Sequence, residues 1–170
     1  MTGRFLERAA VVVASFAAVI GFTGPASAAT SYSADECTSS GNAYCFVIHY
    51  NSRSAATYYS ASSCFVANRS IPDYYGYSPN GAVLLRFVFE YGMISGNYNT
   101  CRLGNSGEGQ PVKNNAASAS NGECVASHRV YYNSGHQGTS QTFSPTCGDY
   151  WPSENLISAL KNENASAKRL

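Results

Sequence analysis

The chain has 170 residues, of which 44% are hydrophobic and only 12% are charged, with a formal net charge of +1 at neutral pH. No stretch concentrates basic residues, which excludes the electrostatic footprint of a nucleic-acid-binding protein. No basic amphipathic segment indicates attachment to a membrane surface either. A chain with 13 tyrosines and few charges is typical of exported β proteins.

Residues 1–28 have the pattern of a secretory signal peptide. Arg4 and Arg8 precede an apolar run that is too short to span a bilayer, and Ala-Ser-Ala at 26–28 matches a cleavage site. Cleavage would leave residues 29–170 as one extracellular domain with a modest core and no membrane segment. Without Arg4, Glu7 and Arg8, the totals of 11 basic and 10 acidic residues fall to nine each.

All six cysteines follow the predicted cleavage site, and an even number in an exported chain predicts three disulfides. No C-x-x-C pair occurs, which argues against a zinc ribbon or thioredoxin-like chemistry. Sequence alone leaves the pairing open. We expect nearest-neighbour closure, with each bond worth roughly 2–4 kcal/mol. The expected pairs are Cys37–Cys45, Cys64–Cys101 and Cys124–Cys147.

Short strand-like runs alternate with turn residues, which predicts an all-β sandwich or barrel. The clearest run is Gly81–Gly92, where apolar residues at odd positions alternate with Arg86 and Glu90. Cys45–Tyr50 and His128–Asn133 are further predicted strands, and the second of these leads into a hairpin.

Between these strands the sequence predicts one helix and two loops. The helix would be Pro152–Leu160, capped by Ser153. The loops Asn68–Gly81 and Arg102–Pro111 are rich in turn residues, and both are expected to be exposed.

The chain contains an internal repeat. "VIHYNSRSAAT" at Val47–Thr57 is echoed by "RVYYNSGHQGT" at Arg129–Thr139, and "VKNNAASA" at Val112–Ala119 by "LKNENASA" at Leu160–Ala167. A duplicated unit of short strands predicts two Greek-key motifs that pack face to face and share one core.

The repeat also divides the chain. The first Greek key would span about 37–119, with an insertion at about 64–100, and the second about 124–167. Neither half could bury its apolar face alone.

The repeat resembles the βγ-crystallin-like fold. That family's hairpin has two aromatics and a glycine, whose places here are taken by Tyr131, His136 and Gly138. The resemblance implies that the two rings pack while the glycine adopts φ > 0. In the first half His49 and Ala56 take the places of Tyr131 and Gly138, so that copy is degenerate.

Calcium-binding members of the family carry a later motif that "NNAASA" and "NENASA" resemble. The resemblance implies that each motif meets the hairpin of the opposite half, with candidate ligands Asn115, Ser118, Glu163 and Ser166. One carboxylate across both copies would bind weakly, roughly 10⁻⁴–10⁻³ M. The favoured alternative is that Ser118 and Ser166 only hydrogen-bond the neighbouring hairpin, so that no cofactor is required.

Among exported bacterial βγ-crystallin-like proteins, the chain resembles the peptidase-inhibitor family typified by the streptomycete metalloproteinase inhibitor. The resemblance is best over Cys124–Ala167, fair over Cys37–Tyr50 and poor over Cys64–Gln110. It implies a monomeric inhibitor of an extracellular peptidase. Asn68–Gly81 is the candidate contact loop, against the alternative of an ordinary surface loop.

Two other functions are weighed against inhibition. The tyrosines of "PDYYGYSP" are compatible with a killer-toxin-like or cell-surface-binding protein, and the motif above with a calcium-stabilised structural protein. An enzyme is not expected, because no G-x-S-x-G, H-E-x-x-H or phosphate-binding glycine motif occurs. His128 and His136 flank one hairpin and could share a metal, but packing is favoured for His136.

Overall fold

The computed structural model describes residues 28–38, 44–56, 60–92, 101, 104–147 and 152–170, so the predicted signal peptide, apart from Ala28, lies outside the described residues. In these residues the chain is all-β, as predicted, with ten strands and no α-helix. None of the described segments forms a helix able to span a bilayer. The strands are β1 Ala29–Ser33, β2 Asp35–Glu36, β3 Phe46–His49, β4 Cys64–Ala67, β5 Val83–Phe87, β6 Ser118–Asn121, β7 His128–Asn133, β8 Gln137–Phe143, β9 Glu154–Asn155 and β10 Ser166–Arg169.

The largest sheet has five strands in the order β2-β4-β3-β6-β9. Strand β3 lies at its centre and is antiparallel to both β4 and β6. Phe46 and Ile48 of β3 belong to one buried cluster and Val47 to a second. Both faces of β3 are therefore covered, which explains why its sequence is almost continuously apolar.

A three-stranded sheet in the order β10-β7-β8 contains the predicted hairpin. Its turn has positive φ at Gly135 (72°) and His136 (63°). The rings of Tyr131 and His136 pack with centroids 5.8 Å apart. Gly138 has φ 81°, a conformation that side-chain-bearing residues rarely adopt, so this position favours glycine.

The predicted strand Gly81–Gly92 is regular only over β5, which pairs in parallel with β1 in a two-stranded sheet. The predicted alternation is seen only around Phe87 and Phe89, which are both buried, because residues 83–86 are all half-buried and Tyr91 is 45% exposed. Both β4 and β5 fall within the predicted insertion at 64–100. Strand β4 is nevertheless integral to the five-stranded sheet, whereas β5 belongs to a separate one.

The two larger sheets exchange segments. Strand β9, from the second half of the chain, pairs with β6 at the edge of the five-stranded sheet. In return, Ile71 from the first half forms a bridge with Ala167 of β10. Each sheet is thus completed by the other half of the chain. The Greek-key description stays a prediction, although this exchange is compatible with it.

The internal repeat is also a structural repeat. Ile48 of β3 pairs with Ala119, and its counterpart Val130 of β7 pairs with Ala167, the counterpart of Ala119. In the "KN" segments, Asn114 and Asn162 have φ of 61° and 60°. The amide of Asn114 donates to the Asn164 carbonyl (2.8 Å), and that of Asn162 to the Ala116 carbonyl (2.7 Å). The halves therefore contact each other through equivalent, reciprocal hydrogen bonds.

One hydrophobic core joins the sheets, and three disulfides join segments around them. The core includes Phe46 and Phe65 of the five-stranded sheet, Val130 and Phe143 of the three-stranded sheet, and Phe87 of β5. The disulfides are Cys37–Cys45, Cys64–Cys101 and Cys124–Cys147, which confirms nearest-neighbour closure. Three disulfides indicate that the chain folds in an oxidising environment.

The predicted helix Pro152–Leu160 is wrong. Its first residues form β9, and Ser153 is buried, with its hydroxyl oxygen accepting a hydrogen bond from the Ser60 amide at 3.3 Å instead of capping a helix. The Leu156 amide then donates to the Ala117 carbonyl (3.0 Å). Pairing with β6 thus provides hydrogen-bond partners for backbone groups that a helix would have paired internally, and Leu156 is still buried.

Candidate functional site

The loop Asn68–Gly81 is fastened to the second half of the molecule. The amide of Ile71 donates to the Ala167 carbonyl (2.7 Å), the reverse bond measures 2.9 Å, and the Tyr74 amide donates to the Ala165 carbonyl (2.8 Å). Ile71 and Tyr74 are each 1% exposed. The expectation of a wholly exposed loop is therefore wrong at these two anchors.

A tight turn follows the second anchor and presents the rest of the loop. The Asp73 carboxylate accepts the Tyr75 amide at 2.8 Å, and the Asp73 carbonyl accepts the Gly76 amide at 3.1 Å. Tyr77 then pairs with Leu85 through two backbone bonds of 3.0 and 2.8 Å. The outward part of the loop is therefore held at both ends.

Two aromatic side chains project from this turn. Tyr75 is 53% exposed and Tyr77 is 42% exposed. The Arg86 guanidinium lies 3.2 Å from the centre of the Tyr75 ring and donates a hydrogen bond to its hydroxyl. Arg69 lies 5.5 Å from the centre of the Tyr77 ring. These cation–π contacts restrict both rings while leaving them accessible.

A cleft of about 290 Å³ opens beside the loop. Apolar and aromatic side chains make up most of its wall, and Arg69 and Asp73 supply charge at its rim. Its volume suits one side chain of a partner better than an extended ligand. The lining residues are Arg69, Ile71, Pro72, Asp73, Gly76, Tyr77 and Phe87.

The serine candidates for calcium are engaged in hairpin contacts. The Ser118 hydroxyl donates to the Asn51 carbonyl at 2.7 Å, and the Ser166 hydroxyl to the Asn133 carbonyl at 2.6 Å. The Ser166 oxygen also accepts the His136 amide at 3.1 Å. Each serine contacts the hairpin of its own half, so the expected contact with the opposite hairpin is wrong. Both hydroxyl protons are therefore engaged in hydrogen bonds within the fold.

The other two calcium candidates differ from each other. The Asn115 side-chain nitrogen donates to the carbonyls of Pro111 (3.1 Å) and Lys113 (3.2 Å), whereas Glu163 is exposed. No cluster of three or more histidine, cysteine, aspartate or glutamate side chains with metal-binding geometry occurs in the described part of the chain. The donor set around Asn115 contains no carboxylate, which fits poorly with the hard oxygen ligands that Ca²⁺ needs.

The three histidines lie at different places in the fold and do not form one cluster. His49 is fully buried on β3, with Nε2 3.2 Å from the Ser120 hydroxyl and Nδ1 without a partner. Burial lowers the pKa of His49 to about 4. Serine and histidine are thus adjacent, but among the described residues no carboxylate orients the ring from Nδ1, as a catalytic triad requires. His136 lies in the hairpin turn.

His128 belongs to a partly buried polar cluster that the sequence did not predict. Its Nε2 lies 2.5 Å from the Glu123 carboxylate, which also accepts hydrogen bonds from Arg169 at 2.6–3.1 Å. Its ring stacks on Phe46 with centroids 4.5 Å apart. Burial alone would raise the pKa of the Glu123 carboxyl, but His128 and Arg169 lower it below its usual range. The cluster ties the C-terminal strand to the loop before β7.

No protein-family model matches the chain, and neither a curated protein nor a solved structure matches it. The relationship to βγ-crystallin-like inhibitors that the repeat suggests therefore remains a proposal.

Proposed function

We propose that the chain is a secreted, monomeric βγ-crystallin-like inhibitor that binds an extracellular peptidase through the loop Asn68–Gly81. The observation that carries the proposal is the construction of this loop. Backbone bonds fasten the loop to Ala165 and Ala167 on one side and to Leu85 of β5 on the other, and the side chains of Tyr75 and Tyr77 project from it. A loop that is already ordered loses little entropy on binding, which is how small inhibitors reach high affinity.

The remaining features support a binding protein rather than an enzyme. The Ser120–His49 pair lacks an orienting carboxylate, and Ser120 is only 2% exposed. Three disulfides suit a protein that must survive in the presence of extracellular peptidases. Aromatic side chains on a rigid scaffold are the residues that most often dominate binding energy at interfaces.

An inhibition assay tests this proposal. The purified chain, at stoichiometric excess, is expected to slow a secreted metallopeptidase or serine peptidase, with or without Ca²⁺. Tyr75→Ala is expected to raise the inhibition constant about tenfold or more, since aromatic anchors at interfaces typically contribute over 1 kcal/mol. Tyr132→Ala is the matched control, because Tyr132 is 44% exposed but lies on β7 outside the loop.

The absence of any inhibition by the unaltered chain across both peptidase classes would refute the proposed function. Equal loss in Tyr75→Ala and Tyr132→Ala would instead show that the loop is not the contact surface.

A second candidate function is binding of cell-surface polysaccharide. Tyr32, 67% exposed, is the register partner of Arg86 across β1 and β5, so the two side chains are neighbours on one face. With Tyr75 stacked on Arg86, they form an exposed tyrosine–arginine–tyrosine surface. Flat rings of this kind can stack on sugars while the guanidinium donates hydrogen bonds.

Co-sedimentation with insoluble cell-wall polymer distinguishes the two functions. If polysaccharide is the ligand, Tyr32→Ala is expected to reduce the bound fraction several-fold and to leave inhibition unchanged, because Tyr32 lies outside the loop. An unaltered chain that stays in the supernatant would exclude this second function.

A further inference from the structure

Two polar pockets are related residue by residue through the internal repeat. The first has a volume of about 530 Å³ and is lined by Tyr50, Asn51, Ser52, Asn115, Ala117, Lys161 and Asn162. The second, of about 220 Å³, is lined by the counterparts Tyr132, Asn133, Ser134, Glu163, Ala165, Lys113 and Asn114. In each pocket the hairpin and motif of one half are closed by the "Lys-Asn" of the other half.

The lining of the two pockets differs in chemistry at one position only. Asn115 in the first pocket is replaced by Glu163 in the second, which therefore contains a carboxylate. In the second pocket the lysine is also held in place. The Lys113 ammonium lies 2.9 Å from the Asp73 carboxylate and donates to the Ser134 hydroxyl at 2.9 Å.

The lysine is held in the second pocket by Asp73, and the place equivalent to Asp73 can be identified in the other half. It is the residue that precedes the donor of an equivalent backbone hydrogen bond. Tyr74 donates to the Ala165 carbonyl and Leu156 to its counterpart Ala117, so Asp73 and Asn155 occupy corresponding places. Asn155 is uncharged, and its side chain accepts the Arg53 amide at 2.7 Å. Among the described residues, this place therefore offers a carboxylate to the lysine of the second pocket and an uncharged amide in the first.

We propose that the Lys113 ammonium takes the place of a bound cation in the second pocket and that it positions the loop Asn68–Gly81. Its ammonium joins Asp73 of the loop to Ser134 of the hairpin, where an oxygen-lined pocket with two nearby carboxylates would otherwise attract a metal ion. A divalent ion would meet the positive charge of Lys113 at short range, which opposes its binding. The loop is thus fixed without calcium. The consequence for inhibition depends on the proposed function, whereas the fastening of the loop does not.

Lys113→Met tests the fastening, with Lys161→Met as the matched control from the first pocket. Amide hydrogen exchange at Tyr74–Tyr77 is expected to accelerate about two- to fivefold in Lys113→Met, the range for losing a half-exposed ion pair. Lys113→Arg is expected to restore much of the protection, and Lys161→Met to leave it unchanged. Exchange in Lys113→Met equal to that of the unaltered chain would overturn the fastening role.

Calcium titration followed by melting temperature tests the cation role. The unaltered chain and Lys161→Met are expected to show no shift in millimolar CaCl₂. Lys113→Met, which retains Asp73 and Glu163, is expected to melt higher as calcium rises, because a ligand that binds only the folded state must stabilise it. A calcium-dependent shift in the unaltered chain, or none in Lys113→Met, would show that the lysine does not stand in for a bound ion. Neither measurement requires a peptidase, so failure here is separable from failure of the proposed function.

Discussion

Gly76→Ala is expected to destabilise the protein by about 3 kcal/mol or more, through backbone strain combined with overpacking. Gly76 has φ +117°, and a Cβ there would overlap the Leu85 carbonyl oxygen and lie 2.8 Å from its carbon. That carbonyl accepts the Tyr77 amide at 3.0 Å, so it cannot retreat without losing a bond. The alanine must therefore disrupt the pairing of the loop with β5.

Gly81→Ala provides the control within the same loop. Gly81 also has a positive φ, +75°, but nothing lies within 4 Å of its added Cβ. Its cost is expected to be about 1 kcal/mol, from the left-handed conformation alone. Urea denaturation of both variants measures the difference as a shift in midpoint at constant slope. Equal midpoints would mean that the Leu85 carbonyl does not constrain the turn.

Acidification from about pH 6.5 to pH 4 is expected to cost the fold about 3 kcal/mol through His49 alone. The folded protein keeps the ring neutral until its pKa of about 4, whereas the unfolded chain takes up a proton near 6.5. The unfolded state therefore binds more protons throughout this window. The free energy of unfolding consequently rises with pH and falls on acidification.

His49→Gln should flatten this slope, whatever its effect on stability at neutral pH. Ser120→Ala is the informative control, since it removes the hydrogen-bond partner but leaves the imidazole buried, and the slope should persist. Chemical denaturation at a series of pH values measures both. Glu123 contributes separately and at lower pH, because its lowered pKa means that its contribution is present above the usual glutamate range and is lost as pH falls through the folded pKa. A slope between pH 6.5 and 5 that survives in His49→Gln would show that other groups cause it.

Features encoded by neighbouring residues could be predicted from the sequence. The strand around Phe46–His49 follows from its apolar run, and the hairpin turn from its glycines. The cysteine pairs follow the simplest closure, with sequence separations of only 8, 37 and 23 residues. The repeat located both "Lys-Asn" segments, each of which donates a backbone hydrogen bond to the opposite half.

Features that depend on contacts between distant segments could not be predicted. Pro152–Leu160 has a cap and an apolar face suited to a helix, but β6 offers its backbone a better partner. In the sequence, Ile71 and Tyr74 belong to a segment rich in turn residues. Their role as anchors depends on backbone hydrogen bonds to Ala167 and Ala165. Lys113 is held in place because Asp73 reaches it from the loop Asn68–Gly81, which is distant in the sequence. In each case the deciding partner is far away in the chain.

The exchange of segments between the sheets has a consequence for the folding of truncated chains. During folding, the β6 edge of the five-stranded sheet stays unpaired until Glu154–Asn155 packs against it. The backbone of Ile71 likewise stays unpaired until Ala167 lies beside it. A product truncated before these residues can complete neither sheet, and it exposes the unpaired strand edges on which aggregation and proteolysis act. The topology thus makes an intact second half of the chain a condition for completing either sheet.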